Sequence, residues 1–270
     1  MKTILLHIYP DTQQDARIQC ALDLARVFGS HITCLQVMSF EHFVGADPLG
    51  GVYIYGELLT AVREQEQAEK ERISARLRDD GASFDWVQVD GDIARTIVSR
   101  SPLADVIVLS QPGHEPVGRV QPASVVGNVA TQALGPVLVL PSTTQKVDMA
   151  GTAMVAWNGS PECAHALRLS LPFLRAAAAV HVVEVADAEL GDRQCEAVRY
   201  LAAYHIKTEL QVEKREDRST ADALLAAAER LDVDYIVMGA YGHSRFLETV
   251  LGGVTHELIA ACPLPLLLAR

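Results

Sequence analysis

Two tandem doubly wound α/β domains, each with a parallel sheet of about five strands, are the fold class that this 270-residue chain predicts. Three observations lead to it. First, ADVIVLSQPGHEPVGRVQPASVVGNVATQALGPVLVLP, from Ala104, superposes without a gap on VDYIVMGAYGHSRFLETVLGGVTHELIAACPLPLLLA, from Val233. Asp105 falls on Asp234, Gly113–His114 on Gly242–His243, and Pro136 on Pro265, so the chain is a duplication. Second, β-branched runs alternate with runs whose Leu and Ala recur at spacings of three and four. Third, ADVIVLS and VDYIVMG are apolar almost throughout, as strands covered on both faces are.

Each element has its counterpart in the other half. KTILLHIY and TAMVAWN open the halves as strands, and helix candidates ARIQCALDLARVFGS and CAHALRLSLPFLRAA follow. HITCLQVM and VHVVEVA are second strands, and FDWVQVD and IKTELQVE are third strands, each preceded by a helix. A third helix leads to ADVIVLS or VDYIVMG, and a last helix and strand close each half. This is the order of flavodoxin- or Rossmann-like sheets. Residues 142–150, STTQKVDMA, are polar and aperiodic, so the expected domains are 1–141 and 151–270 with 142–150 as the linker.

Hydrophobic residues at 49% against 21% charged supply two cores. A net charge of −11 opposes attraction to nucleic acid and to anionic membranes, while leaving room for an anion held by backbone amides. MKTILLHIYPD is too short in its apolar run for a secretory signal, and no run is long enough for a membrane span. The five cysteines are scattered without a CxxC, which predicts buried thiols in a cytoplasmic protein. No HxxxH or HExxH occurs, so no metal site is expected, and His42, His114 and His165 form no ligand pattern. GxSxG, Walker A and an early GxGxxG are absent as well, so no catalytic residue is assigned. Ser160 reads as a helix N-cap rather than a nucleophile.

GAYGHSRFLETVLGGVT, residues 239–255, is where chemistry concentrates. In open α/β sheets a ligand sits beyond the C-terminal strand ends, where strand order reverses. Asn158 ends the first strand of the second half and Gly239 ends the fourth. If these strands are neighbours, the two residues share one crevice. The first amides of the final helix, at Gly253, Val254 and Thr255, have no partner within the helix and favour a phosphate. Glycines at 252 and 253 let an anion approach the backbone. His243 and Arg245 add donors from the same loop.

The spacing Gly239-x-x-Gly242, nine residues, then Gly252 resembles the nucleotide-binding signature of the universal stress protein family. Agreement extends to a polar residue after strand one, a second strand ending near Val185, and the closing PLPLLL. The resemblance covers nearly the whole chain, as a tandem member. It implies a stress-response regulator that binds an adenine nucleotide (ATP, or ADP or AMP, with Mg as a candidate companion) and is often dimeric through its last strands. On that resemblance Asn158 and Val185 hold the base. Gly239, Gly242, Gly252, Gly253 and Val254 hold ribose and phosphates, and His243 and Arg245 assist. A homodimer and an unidentified protein partner are expected; slow ATP hydrolysis is compatible, with no general base named.

Three departures from the pattern stand out. Gly253 occupies the family's Ser/Thr position, losing a hydroxyl contact worth about 0.5–1.5 kcal/mol. Asn158 stands where Asp is usual, which removes a negative charge. In the first half Ser110 and Ala123 replace glycines, and YPDTQ can be registered on Tyr9 or on Asp11. The second half is thus the expected site and the first a vacant partner. A different reading is a nucleotide-free dimeric scaffold, with the 39–55 loop as its recognition surface; the long insertion at 39–59 reads as a lid or contact loop. Carboxylates such as Glu248 or Glu257 are candidates to recruit magnesium. An α-hydrolase-like enzyme is disfavoured, because no SGGxDS-type loop follows strand one.

Overall fold

The computed structural model describes residues 1–39, 44–46, 52–54, 56–111, 124–141, 147–186, 195–215, 217–241 and 253–270. The first half runs β1 (Thr3–Ile8), α1 (Gln14–Phe28), β2 (His31–Met38), β3 (Val44–Ala46), β4 (Val52–Ile54), α2 (Gly56–Asp79), β5 (Phe84–Asp90), α3 (Ile93–Arg100), β6 (Val106–Ser110), α4 (Ser124–Gln132) and β7 (Val137–Leu140). The second runs β8 (Thr152–Trp157), α5 (Pro161–Leu169), α6 (Leu171–Ala176), β9 (Ala179–Ala186), α7 (Glu196–Ala203), β10 (Glu209–Lys214), α8 (Thr220–Arg230), β11 (Tyr235–Gly239), α9 (Gly253–Ala261) and β12 (Leu266–Ala269).

Local chemistry sets several of these boundaries. Gly29 closes α1 in the left-handed region at φ 61°, a conformation that costs a Cβ-bearing residue energy. Asp92 caps α3 by accepting from the Arg95 amide at 2.8 Å. Ser219 and Asp222 form a reciprocal capping box on α8. The run from Cys163 to Ala177, expected as one helix, is two. Ser170 ends α5, and Pro172 lies in the first turn of α6, where its missing amide is harmless but a continuous helix would be broken.

Ten strands form one sheet in the order β10-β9-β8-β11-β12-β7-β6-β1-β2-β5. Every pairing is parallel except β12 with β7, which is antiparallel with Leu267 opposite Leu138. Each half therefore reverses its strand order between its first and fourth strands, at β1/β6 and at β8/β11. Asp105 and Asp234, matched in the repeat, do the same work in each half. The Asp105 carboxylate accepts from the amides of Thr3 and Lys2, and that of Asp234 from the amide of Thr152, so each pins the start of a first strand.

One apolar layer covers each face of the sheet, and each draws on both halves. Leu138 and Leu267 belong to one of them and are fully buried. At the join, Val147 and Met149 are buried against the same layer, so this end of the polar stretch is anchored. All five cysteines are free and buried. Burial, helped by Asp85, pushes the Cys34 thiol up to about 12, and burial raises Cys262 to about 11, so both stay protonated at neutral pH. Of the 39–59 insertion, the described parts are Ser39, the antiparallel strands β3 and β4 and the start of α2; the rest lies outside the described residues.

Because the sheet is continuous through β7 and β12, both halves are expected to unfold together. Trp86 lies in β5 and Trp157 in β8, one reporter per half. Single-tryptophan variants Trp86→Phe and Trp157→Phe should show the same urea midpoint. Leu267→Ala should lower stability by about 2–5 kcal/mol on both reporters, the cost of a core cavity. Separate transitions would show two independent units.

Candidate functional site

At the β8/β11 switch point the C-terminal strand ends open into a cavity of about 190 Å³. Asn158, Val185, Gly239, Gly253 and Val254 all line it, together with Thr255. β8 pairs directly with β11, which brings Asn158 and Gly239 to one crevice. Gly242, His243, Arg245 and Gly252 lie outside the described residues, as do His42, His114, Ala123 and Glu248.

The wall near Asn158 is built by helix capping. The Asn158 Oδ1 accepts from the Ser160 amide at 2.9 Å, and the Ser160 Oγ accepts from the Cys163 amide at 3.2 Å. Ser160 is the N-cap of α5, with Pro161 following in the first turn. With Oδ1 engaged in this turn, the Asn158 Nδ2 is the donor left for a ligand.

The two described glycines of the signature differ in kind. A Cβ built on Gly239 would lie 2.6 Å from the Cys163 nitrogen and 2.7 Å from the Glu162 carbonyl carbon. Glycine here is what lets α5 press its first turn onto β11. Among the described residues, a Cβ on Gly253 would meet only the Glu257 Oε1, at 3.7 Å. No described neighbour therefore requires glycine at 253, and the first turn of α9 borders the cavity. Thr255 accepts from the Tyr241 amide at 3.3 Å, tying that turn to the residue before Gly242. Glu162 supplies an acidic wall whose buried Oε2 has no hydrogen-bond partner among the described residues. Small Ala156 and apolar Val183 and Met238 floor the cavity. Single-sequence reading missed Ala156, Glu162 and Tyr241; a small residue late in a first strand was the one available hint.

The model of the "Universal stress protein family" matches residues 1–141 and again 149–270. The chain belongs to the universal stress protein family. Among solved structures, a universal stress protein from Archaeoglobus fulgidus DSM 4304 is 17% identical, with a TM-score of 0.78 over 99% of this chain and 98% of that one. A protein described as a putative universal stress protein, from Pseudomonas aeruginosa UCBPP-PA14, is 18% identical, with a TM-score of 0.65 over 100% of this chain and 93% of that one. A third, a functionally unknown protein from Pseudomonas aeruginosa PAO1, is 19% identical with a TM-score of 0.64, covering 100% of this chain and 92% of that one. At these identities the likeness is one of fold. No curated protein matches the chain.

In the first half of this universal stress protein, larger side chains stand at described positions that match the crevice. Ile4 lies opposite Val106, and Ala153 lies opposite Tyr235. Since Val106 matches Tyr235 in the repeat, His7 matches Ala156 and Tyr9 matches Asn158. The turn before the helix gives a different match: the Asp11 Oδ1 accepts from the Gln13 amide at 2.8 Å, as Asn158 does from Ser160. Two additional residues separate strand from turn, so the strand position belongs to Tyr9 and the turn position to Asp11.

Where Ala156 leaves space, the His7 imidazole is buried and stacks on Tyr9 with centroids 5.8 Å apart. Where Gly239 admits α5, Ser110 carries a side chain. Arg17 comes in from α1, bonding Ser110 Oγ at 2.9 Å and Asp11 at 2.7 and 2.9 Å. Its remaining donors reach the carbonyls of His7 at 3.2 Å and Tyr9 at 2.6 Å. Arg17 and Asp11 are both almost fully buried, so removing either partner would strand a charge at a cost of about 3–5 kcal/mol.

Two outcomes are expected. Gly239→Ala should destabilise the chain by about 1–3 kcal/mol, because backbone must move. Gly253→Ala should be neutral or stabilise by about 0.4–1 kcal/mol, since space is open and the unfolded chain loses freedom. Thermal unfolding of both variants reads the contrast. Separately, burial and then the Arg17 charge lower the His7 pKa from 6.5 to about 3. Between those values the unfolded state binds a proton that the folded state refuses. The His7 contribution is complete above 6.5 and is lost as pH falls through that window, at up to about 1.4 kcal/mol per pH unit. His7→Leu should flatten the acid limb of a stability–pH curve by that slope.

Proposed function

We propose that residues 151–270 bind an adenine nucleotide, ATP or its ADP or AMP relatives, and that residues 1–141 form a partner half without a nucleotide of its own. The observation that carries this reading is the crevice at the β8/β11 switch point. It joins a base-sized apolar floor, the Asn158 donor and the open first turn of α9 at Gly253. Free amides at a helix start favour phosphate oxygens. Val185, on the strand beside β8, would flank the base, and Gly239 and Val254 the ribose and phosphates; that all three line the cavity supports this reading. In the first half His7, Tyr9 and Arg17 occupy the corresponding space. Glu257, whose Oε1 lies 3.7 Å from a Cβ built on Gly253, is a described carboxylate that could meet a magnesium carried in by the phosphates.

The nucleotide would act as a regulator rather than a substrate, with slow hydrolysis at most. The protein partner that reads the bound state is expected to be separate from the chain. The last strands, through which the resemblance implies a dimer, pair with each other inside one chain. A homodimer of whole chains therefore uses another surface. Among the described residues no helix is long and apolar enough to cross a membrane.

One observation favours the alternative of a nucleotide-free scaffold: Gly239 is explained by the approach of α5 without any ligand. The decisive test is to denature freshly purified protein and identify released nucleotide by mass spectrometry, then titrate ATP with magnesium. One nucleotide per chain, lost in Gly252→Val, supports the binder; none in either assay supports the scaffold. Gly253→Ser restores the family's hydroxyl in open space and should tighten ATP binding by about 2- to 10-fold, the equivalent of one hydrogen bond.

A further inference from the structure

Tyr241 directly precedes Gly242, and its backbone is held in the left-handed region at φ 56°, which a side chain of this size rarely adopts. Its ring reaches across to the other half. A Cβ built on Gly127 would lie 2.7 Å from the Tyr241 phenol oxygen and 3.7 Å from Cζ. Gly127 is inside α4, where glycine weakens a helix relative to alanine. Two locally unfavourable choices, a strained tyrosine and a helical glycine, thus meet at one contact. Neither is explained within its own half.

The contact bears on the crevice. The Tyr241 amide donates to Thr255 Oγ1, and Thr255 lines the cavity in the first turn of α9. Gly127 is itself anchored, since its carbonyl accepts from Thr131 Oγ1 at 2.9 Å. The Thr131 carbonyl in turn accepts from Arg270 at 3.2 Å, so α4 is tied to the end of the second half. A shift of the ring on Gly127 would therefore pass through one residue to the wall that faces a phosphate.

We propose that Tyr241 is a positioning residue for the nucleotide site, and that the first half sets its position by offering Gly127 as its seat. The vacant half is then part of the site's machinery. By linkage, nucleotide binding and the docking of Tyr241 on α4 strengthen each other. This rests on the nucleotide reading above.

The test is a double-mutant cycle on the full chain, with ATP affinity read by calorimetry and folding by thermal unfolding. Gly127→Ala adds a methyl against the phenol oxygen and should weaken ATP binding about 5- to 50-fold, a coupling usual for touching residues. Tyr241→Phe removes that oxygen and should change affinity by less than about 3-fold. The pair Gly127→Ala with Tyr241→Phe leaves Cζ as the nearest atom, at ordinary contact distance, and should return affinity to the Tyr241→Phe value. An effect of α4 alone would not be rescued in this way. Wild-type affinity in Gly127→Ala, or equal weakness in the double variant, overturns the inference. If Gly127→Ala does not fold, Tyr241→Ala replaces it, and unchanged affinity there overturns the inference as well. No ATP uptake by wild type defeats the nucleotide reading itself and this inference with it, and the wild-type arm alone shows which has failed.

Discussion

Main-chain hydrogen bonding between β7 and β12 is the constraint on which the rest of the molecule depends. Each half, taken alone, would end its sheet on an apolar strand with unpaired amides and carbonyls. Such an edge invites association. Pairing the two edges antiparallel removes both and buries Leu138 and Leu267 between two helical layers. The edges of the ten-stranded sheet, among the described residues, are β5 and β10, whose side chains are largely half-buried or exposed, several of them charged. An antiparallel join between two copies of one unit also creates approximate twofold symmetry. That symmetry brings α4 of the first half beside Tyr241, two residues past β11 of the second.

Within this frame the two copies have kept their scaffolding and changed their contents. Asp105 and Asp234 still pin first strands through the same amides, a role that depends only on backbone position. The crevices differ because their occupants differ. Arg17 with Asp11 and Ser110 makes a bonded cluster beside the buried His7 ring and the Tyr9 ring in one half, while Ala156, Asn158 and Gly239 border a cavity in the other. A buried guanidinium with four acceptors is satisfied where it sits, and displacing it would expose an unpaired charge to an apolar wall.

Glycine spacing resembles a ligand signature, yet its members answer to different forces. Gly239 is required by the first turn of α5, whether or not a ligand is present. Gly253 meets no packing demand from the described residues, so the proposal of a bound anion rests on the helix start that borders the cavity. A glycine outside the signature, Gly127, is explained by a tyrosine of the other half. Counting glycines in a motif thus mixes packing, ligand approach and contact between halves, and a built Cβ separates them.

The sequence by itself determined the fold class, the duplication and the order of strands and helices. These follow from local periodicity and from a gapless repeat, both of which survive without knowledge of any contact. It also carried enough to place Ser160 as a helix cap. Only the tertiary structure decided between Tyr9 and Asp11, because strand pairing and helix capping register that loop differently and two additional residues lie between them. Only it showed the break at Ser170, the filling of the first crevice by Arg17 and the seat of Tyr241 on Gly127. Each of these depends on side chains meeting across distant segments, and no spacing rule along the chain encodes a distance through space.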